Sequence, residues 1–211
     1  MSMRSDMGFE EAISAMFTLL PARELSTRYH EPWRHYHVWS HPTSMKNELI
    51  QAERDGETVH DGGAALAFVL WHDAIYDPQA THGRNETLSA ILCEHQLRGI
   101  GHDVSVTRAC TAILSTITHV VPPVADCPDG ALLLDVDLSI LGSTPDVFDE
   151  YDAGIRLEYE HVPLADYRSA RGRILSGFLA RPQIYTTDWA HERWDAVARE
   201  NLKRAIAALR D

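Results

Sequence analysis

Three separated stretches of this chain set imidazoles and carboxylates against apolar runs, where such groups are costly without a compensating partner. His72-Asp73 closes the run Ala64-Ala65-Leu66-Ala67-Phe68-Val69-Leu70-Trp71. Upstream, Tyr36-His37-Val38-Trp39-Ser40-His41 carries two histidines four apart, and downstream Leu134-Asp135-Val136-Asp137-Leu138 places two acids inside another apolar run. An imidazole and a carboxylate side by side at the edge of a buried segment need positive charge nearby, and a divalent metal supplies it. Two imidazoles with carboxylate oxygens suit Mn, Fe, Co, Ni or Zn better than an ion that takes oxygen alone, in a site of one or two ions. Water on such an ion has a lowered pKa and becomes a nucleophile toward phosphorus.

A His-Asp dipeptide alone selects little, because His60-Asp61 is a second one in the same chain. It precedes Gly62-Gly63 at the start of the apolar segment, where Asp61 reads as a helix N-cap. The ordered combination is more telling: His, then His-Asp, then Asp resembles the HD superfamily of metal-dependent phosphohydrolases. More narrowly, the chain is similar to a small bacterial branch of predicted HD phosphohydrolases. The segments that carry the likeness are Arg34 to His41, His72 to Asp77, Asn85 to Ala90, Asp135 to Gly142 and Ile155 to Tyr159, within roughly residues 29–205.

The resemblance implies an HD-type fold with His41, His72, Asp73 and Asp137 as metal ligands. In cyclic-nucleotide phosphodiesterases, which share a comparable Tyr-His-x-x-x-His segment, the first histidine donates a proton and the second binds metal. His37 is then the general acid. A helix through both would stack them on one face. Pro42 departs from the family pattern, and a proline in the first turn would let Ser40 cap a helix starting at His41. In that case the shared face is lost, and His37 as the first ligand, three residues after Arg34, is the alternative. Asp77 is either the acceptor of the attacking water's proton, as nearby acids are in related nucleotidases, or a turn residue before Pro78. Asp135 would orient a neighbouring group or neutralise an arginine. Glu86 and His119 are additional candidates, set against ordinary roles in helix-end electrostatics. Arg156, Arg171 and Arg173 are candidates for substrate phosphate, weighed against structural salt bridges.

The 31 acids outnumber the 19 lysines and arginines, for a formal charge of −12, and no basic block interrupts the excess. Such a field argues against nucleic acid and anionic membrane as partners. A small phosphorylated substrate, a nucleotide in the first instance, stays compatible because a metal supplies the local positive charge. Cys93, Cys110 and Cys127 lack metal-ligand spacing and read as free thiols of a reducing compartment. No apolar run approaches membrane-spanning length and the first residues lack a continuous apolar core, so a cytoplasmic location is expected.

Helical periodicity recurs throughout. Phe9, Ile13, Met16, Phe17 and Leu20 mark a first helix that stops at Pro21, and further patterns cover about 43–54, 62–72, 86–98, 104–119, 129–141, 145–160, 163–180 and 188–209. Ile113, Ile117 and Val120 share one face, and Trp194, Val197, Ala198, Leu202 and Ile206 another. The expectation is an all-α bundle of seven to nine helices in a single domain over 1–211, with residues 1–28 forming an N-terminal helix and connection. Its expected activity is divalent-metal-dependent hydrolysis of a small phosphomonoester or phosphodiester. The rival readings are a non-catalytic metal- or nucleotide-binding sensor and a di-iron oxygenase.

Overall fold

Among the described residues, 22–99 and 103–210 of a computed structural model, the regular structure is all helical. The expected helix from Phe9 to Leu20 lies outside the described residues. The elements are α1 (Ala22–Arg28), α2 (Ser40–Asp55), α3 (Gly62–Trp71), α4 (Arg84–Leu97), α5 (Asp103–Ser115) and α6 (Gly130–Asp137). A 3-10 turn (Leu138–Gly142) follows, then α7 (Pro145–Glu158), α8 (Leu164–Leu179) and α9 (Asp188–Ala208). No helix among the described residues is long and apolar enough to cross a membrane. The chain groups into two compact units, one made of residues up to Pro32 with His37–Val136, the other of Trp33–Tyr36 with Asp137–Asp211.

The first unit is built around α3, whose ten residues are buried on every side. A helix apolar all round has no solvent face and must be surrounded, and α2, α4 and α5 all pack against it. Its start is pinned by two carboxylates. Asp61 caps it by accepting from the Ala64 amide at 3.0 Å and also takes Ser105 Oγ at 3.0 Å and Arg108 Nη1 at 2.8 Å from α5. Asp129 in turn accepts the backbone amides of His60 and Asp61 at 2.8 and 2.9 Å.

In the second unit α9 packs on the 3-10 turn, on α8 and on α7. Gly142 is required there: a Cβ at that position would stand 2.4 Å from Trp194 Cβ. Asn201 Nδ2 closes the same turn by donating to the carbonyls of Leu141 and Ser143, each at 2.9 Å. Buried Glu158 accepts the amides of both His35 and Tyr36 at 2.8 Å.

Two helical expectations are corrected. The pattern over 104–119 ends as a helix at Ser115, where Ser115 Oγ and Thr116 Oγ1 bond the carbonyls of Thr111 and Ile113 and compete with the ladder. His119 then turns left-handed at φ 50, and Val120 is 66% exposed, so it shares no buried face with Ile113. The pattern over 129–141 is two elements, with the tighter 3-10 geometry taking over after Asp137. α1 was not foreseen, since seven residues are too few to display a period.

Candidate metal centre

His72 ends α3. Its amide bonds the Phe68 carbonyl at 2.9 Å, and its ring Nδ1 lies 3.3 Å from the Val69 carbonyl. Donation from Nδ1–H to that carbonyl leaves the Nε2 lone pair for a metal, the tautomer that ligating histidines commonly adopt. His41 comes from the first turn of α2, which tolerates Pro42 because early helical amides have no partner within the helix. Ser40 does not cap this helix: Trp39 holds the N-cap position, with no side-chain cap. Asp73 follows His72 in a turn.

The three side chains meet. His41 Nε2 stands 3.0 Å from His72 Nε2, His72 Nε2 is 3.0 Å from Asp73 Oδ2, and His41 Nε2 is 3.7 Å from Asp73 Oδ2. A circle through those atoms has a radius of about 1.9 Å, close to the ~2.0–2.2 Å at which such donors hold an ion, so the three could hold one together. The chemistry fits as well, with two borderline nitrogen donors and one hard oxygen. Burial pushes the Asp73 carboxyl up, but the imidazoles of His72, His37 and His41 outweigh it and hold the group well below the ordinary carboxylate range. It stays anionic.

His37 reaches the same place by another route. Residues 35–38 form bends rather than a helix, so of the two alternatives the shared helical face of His37 and His41 is the one that is lost. The His37 ring lies 6.1 Å from that of His41, stacks on Tyr76 at 4.2 Å, and brings Nε2 to 3.8 Å from Asp73 Oδ2. His41 and His72 are 5% and 2% exposed, Asp73 and His37 18% each, so the centre opens to solvent on the side of His37 and Asp73.

The remaining candidates are more dispersed. Asp77 is exposed, and its Oδ1 accepts the Gln79 amide at 2.8 Å, the turn role its place before Pro78 suggests. Asp135 is buried on α6, and Asp137 ends that helix at the start of the second unit. Glu86 sits half-buried in the first turn of α4, and His119 closes the turn after α5. The arginines belong to the second unit and are engaged there. Arg156 donates to the carbonyl of Tyr159 and lies over the Tyr167 ring, Arg171 pairs with Asp152 through Nε and Nη2, and Arg173 bonds Ser169. Among the described residues, the group of ligand atoms able to hold an ion is His41, His72 and Asp73. His60, by contrast, is exposed and Asp61 is the cap that its sequence position suggests.

Two residues gain a role that the sequence alone left blank. Ser89 Oγ accepts the Ile75 amide at 3.0 Å and donates to the Ile75 carbonyl at 3.3 Å. Asn85, one helical turn earlier on α4, treats Asp77 the same way, with Oδ1 on its amide at 3.1 Å and Nδ2 on its carbonyl at 3.0 Å. Together they clasp the segment that follows the His72-Asp73 ligands. The available signal was their four-residue spacing, which puts both on one helical face.

No family model, no curated protein and no solved structure matches this chain.

Proposed function

We propose that the chain is a divalent-metal-dependent phosphohydrolase of the HD type, acting on a phosphomonoester or phosphodiester of a small molecule, a nucleotide in the first instance. The observation that carries the reading is the convergence of His41, His72 and Asp73, three donors from two helices and a turn, on a space the size of one ion. His41, His72 and Asp73 would hold a Mn, Fe, Co, Ni or Zn ion, with Asp137 as a further ligand from the sequence pattern. When bound, such an ion supplies Lewis acidity and lowers the pKa of water.

His37 is the proposed proton donor. Its Nε2 lies 3.8 Å from Asp73 Oδ2, its ring stacks on that of Tyr76, and it lies on the open side of the centre. A protonated imidazole near neutral pH is suited to a departing alkoxide. The alternative of His37 as a ligand is less favoured, because His41 already pairs its Nε2 with that of His72 at 3.0 Å. Phe68, with its ring 5.3 Å from His72, walls the buried side against water. A sensor that only bound metal would have no use for a proton donor at the mouth, which favours the enzyme. The free cysteines fit a reducing, cytoplasmic setting.

Elemental analysis of the purified chain, followed by a screen of nucleotides and simple phosphate esters with each metal, tests the proposal. Near-stoichiometric metal with turnover on at least one ester is expected. Protein that takes up no transition metal would refute the centre itself, and metal uptake without turnover on any ester would transfer the assignment to the sensor.

A further inference from the structure

α4 and α5 pack against each other, and each carries one cysteine at the contact. Cys110 of α5 donates its thiol to the carbonyl of Ala90 at 3.4 Å. The Cys110 sulfur therefore lies on the 90–94 turn of α4, the turn that bears Cys93. Cys93 is fully buried, whereas Cys110 is half-buried and reachable from solvent.

We propose that Cys110 and Cys93 form a peroxide-responsive dithiol, with Cys110 attacking hydrogen peroxide and Cys93 resolving the product into a disulfide between α4 and α5. The asymmetry of the pair supports this division. Cys110 meets solvent and Cys93 does not, so peroxide reaches the Cys110 sulfur first. Thiolate character with access to solvent is what selects the oxidised cysteine.

The chemistry balances. The Cys110 thiolate attacks one peroxide oxygen; an S–O bond forms, the O–O bond breaks and hydroxide leaves, giving a sulfenic acid. The Cys93 sulfur then attacks the Cys110 sulfur; the S–S bond forms, the S–O bond breaks, and the hydroxyl departs with the Cys93 proton as water. Peroxide gains the two electrons that the two thiols lose. The Cys110 sulfur already lies on the helical turn that bears Cys93, and the bond would bring the two sulfurs to about 2.0 Å. Cys127 serves as the internal control, because burial, then the Asp129 carboxylate, push its thiol up to about 11. The cross-link would also fasten α4, whose Ser89 lies one turn before Cys93 and holds Ile75 beside the ligands.

The test is peptide mapping of the full chain, as purified, after brief exposure to hydrogen peroxide and alkylation of remaining thiols. Trypsin alone leaves Cys110 and Cys127 in one peptide, but a second protease cutting before Asp126 separates them. The expected product joins the peptide of Cys93 to that of Cys110, is reversed by dithiothreitol, and leaves Cys127 alkylated. In Cys93→Ala, dimedone should instead label Cys110 as a sulfenic acid, and Cys110→Ser should leave Cys93 unmodified. Full alkylation of Cys93 and Cys110 in the peroxide-treated natural chain, or linkage through Cys127, would overturn the proposal, and neither outcome depends on how the variants fold.

Discussion

His72→Ala and His60→Ala remove the same side chain from two identical dipeptides, yet the two positions differ in kind. His72 is 2% exposed with its Nε2 3.0 Å from both His41 Nε2 and Asp73 Oδ2, whereas His60 is exposed and only precedes the Asp61 cap. A metal present at about 1,000 times its Kd stabilises the folded chain by about 4.1 kcal/mol. Each kcal/mol moves the Tm of a chain of this size by roughly 2–4 °C, so the natural protein should gain roughly 8–16 °C on metal addition. Losing one of three donors should weaken binding by at least the ~100-fold that loss of a supporting contact costs, leaving about 1.4 kcal/mol at the same metal concentration. The metal-induced gain in His72→Ala should then fall to roughly 3–6 °C or less, while His60→Ala keeps the full gain and changes metal-free stability by no more than about 0.5 kcal/mol. Circular-dichroism melts of chelator-treated protein, with and without each metal, read both quantities. Equal gains in the two variants would mean that the centre is not where His72 stands.

His37→Ala should retain metal but lose about 10²–10⁴-fold in turnover on esters with poor leaving groups, with a far smaller loss on p-nitrophenyl phosphate; equal losses on the two substrates, with metal retained, would refute the proton-donor role. Asp137→Ala should lower metal content by elemental analysis of the purified variant, and unchanged content would remove Asp137 from the ligand set. Asp61→Ala deletes a helix cap and strips Ser105 and Arg108 of their acceptor, so urea denaturation should show a loss of about 3 kcal/mol; a loss below about 1 kcal/mol would show that the buried carboxylate contributes nothing beyond its cap. Burial raises the Asp195 carboxyl, but hydrogen bonds from Arg199 and the Ile184 amide lower it further, and its net position is below the ordinary 3.8. Its stabilisation is therefore complete above that value and lost as pH falls through the depressed one, so the Tm deficit of Asp195→Asn should be constant near neutrality and shrink under strong acid; a deficit that grows on acidification would contradict the assignment.

How much was legible in the sequence depended on whether the signal was periodic. α3, α4, α7, α8 and α9 fall within about three residues of their expected spans, because each buries a face or a whole circumference and its apolar pattern records that burial. Where hydroxyls bond back to carbonyls, at Thr111 to Thr116, the apolar pattern of Ile113, Ile117 and Val120 continued past the helix that had already ended. The pairing of His41 with His72-Asp73 was expected from the resemblance of the ordered segments, whereas the residues alone left His37 as the alternative. The path of His37 was not, since residues 35–38 bend instead of continuing a helix, and a bend leaves no period to read. The clasp by Asn85 and Ser89 was hidden for a related reason: a side chain bonding both the amide and the carbonyl of one distant residue leaves no period to detect.

That clasp gives α4 the bonding pattern of a neighbouring β-strand, offered by side chains instead of a backbone. Ile75 and Asp77 each have amide and carbonyl satisfied by one partner, so the stretch leaving the ligands is already ordered before any ion arrives. Metal capture then forfeits little chain entropy, and the empty and loaded proteins should share one backbone there. In hydrogen–deuterium exchange, the Ile75 and Asp77 amides should be equally slow with and without metal, and Ser89→Ala should quicken Ile75 exchange in both states while weakening metal affinity.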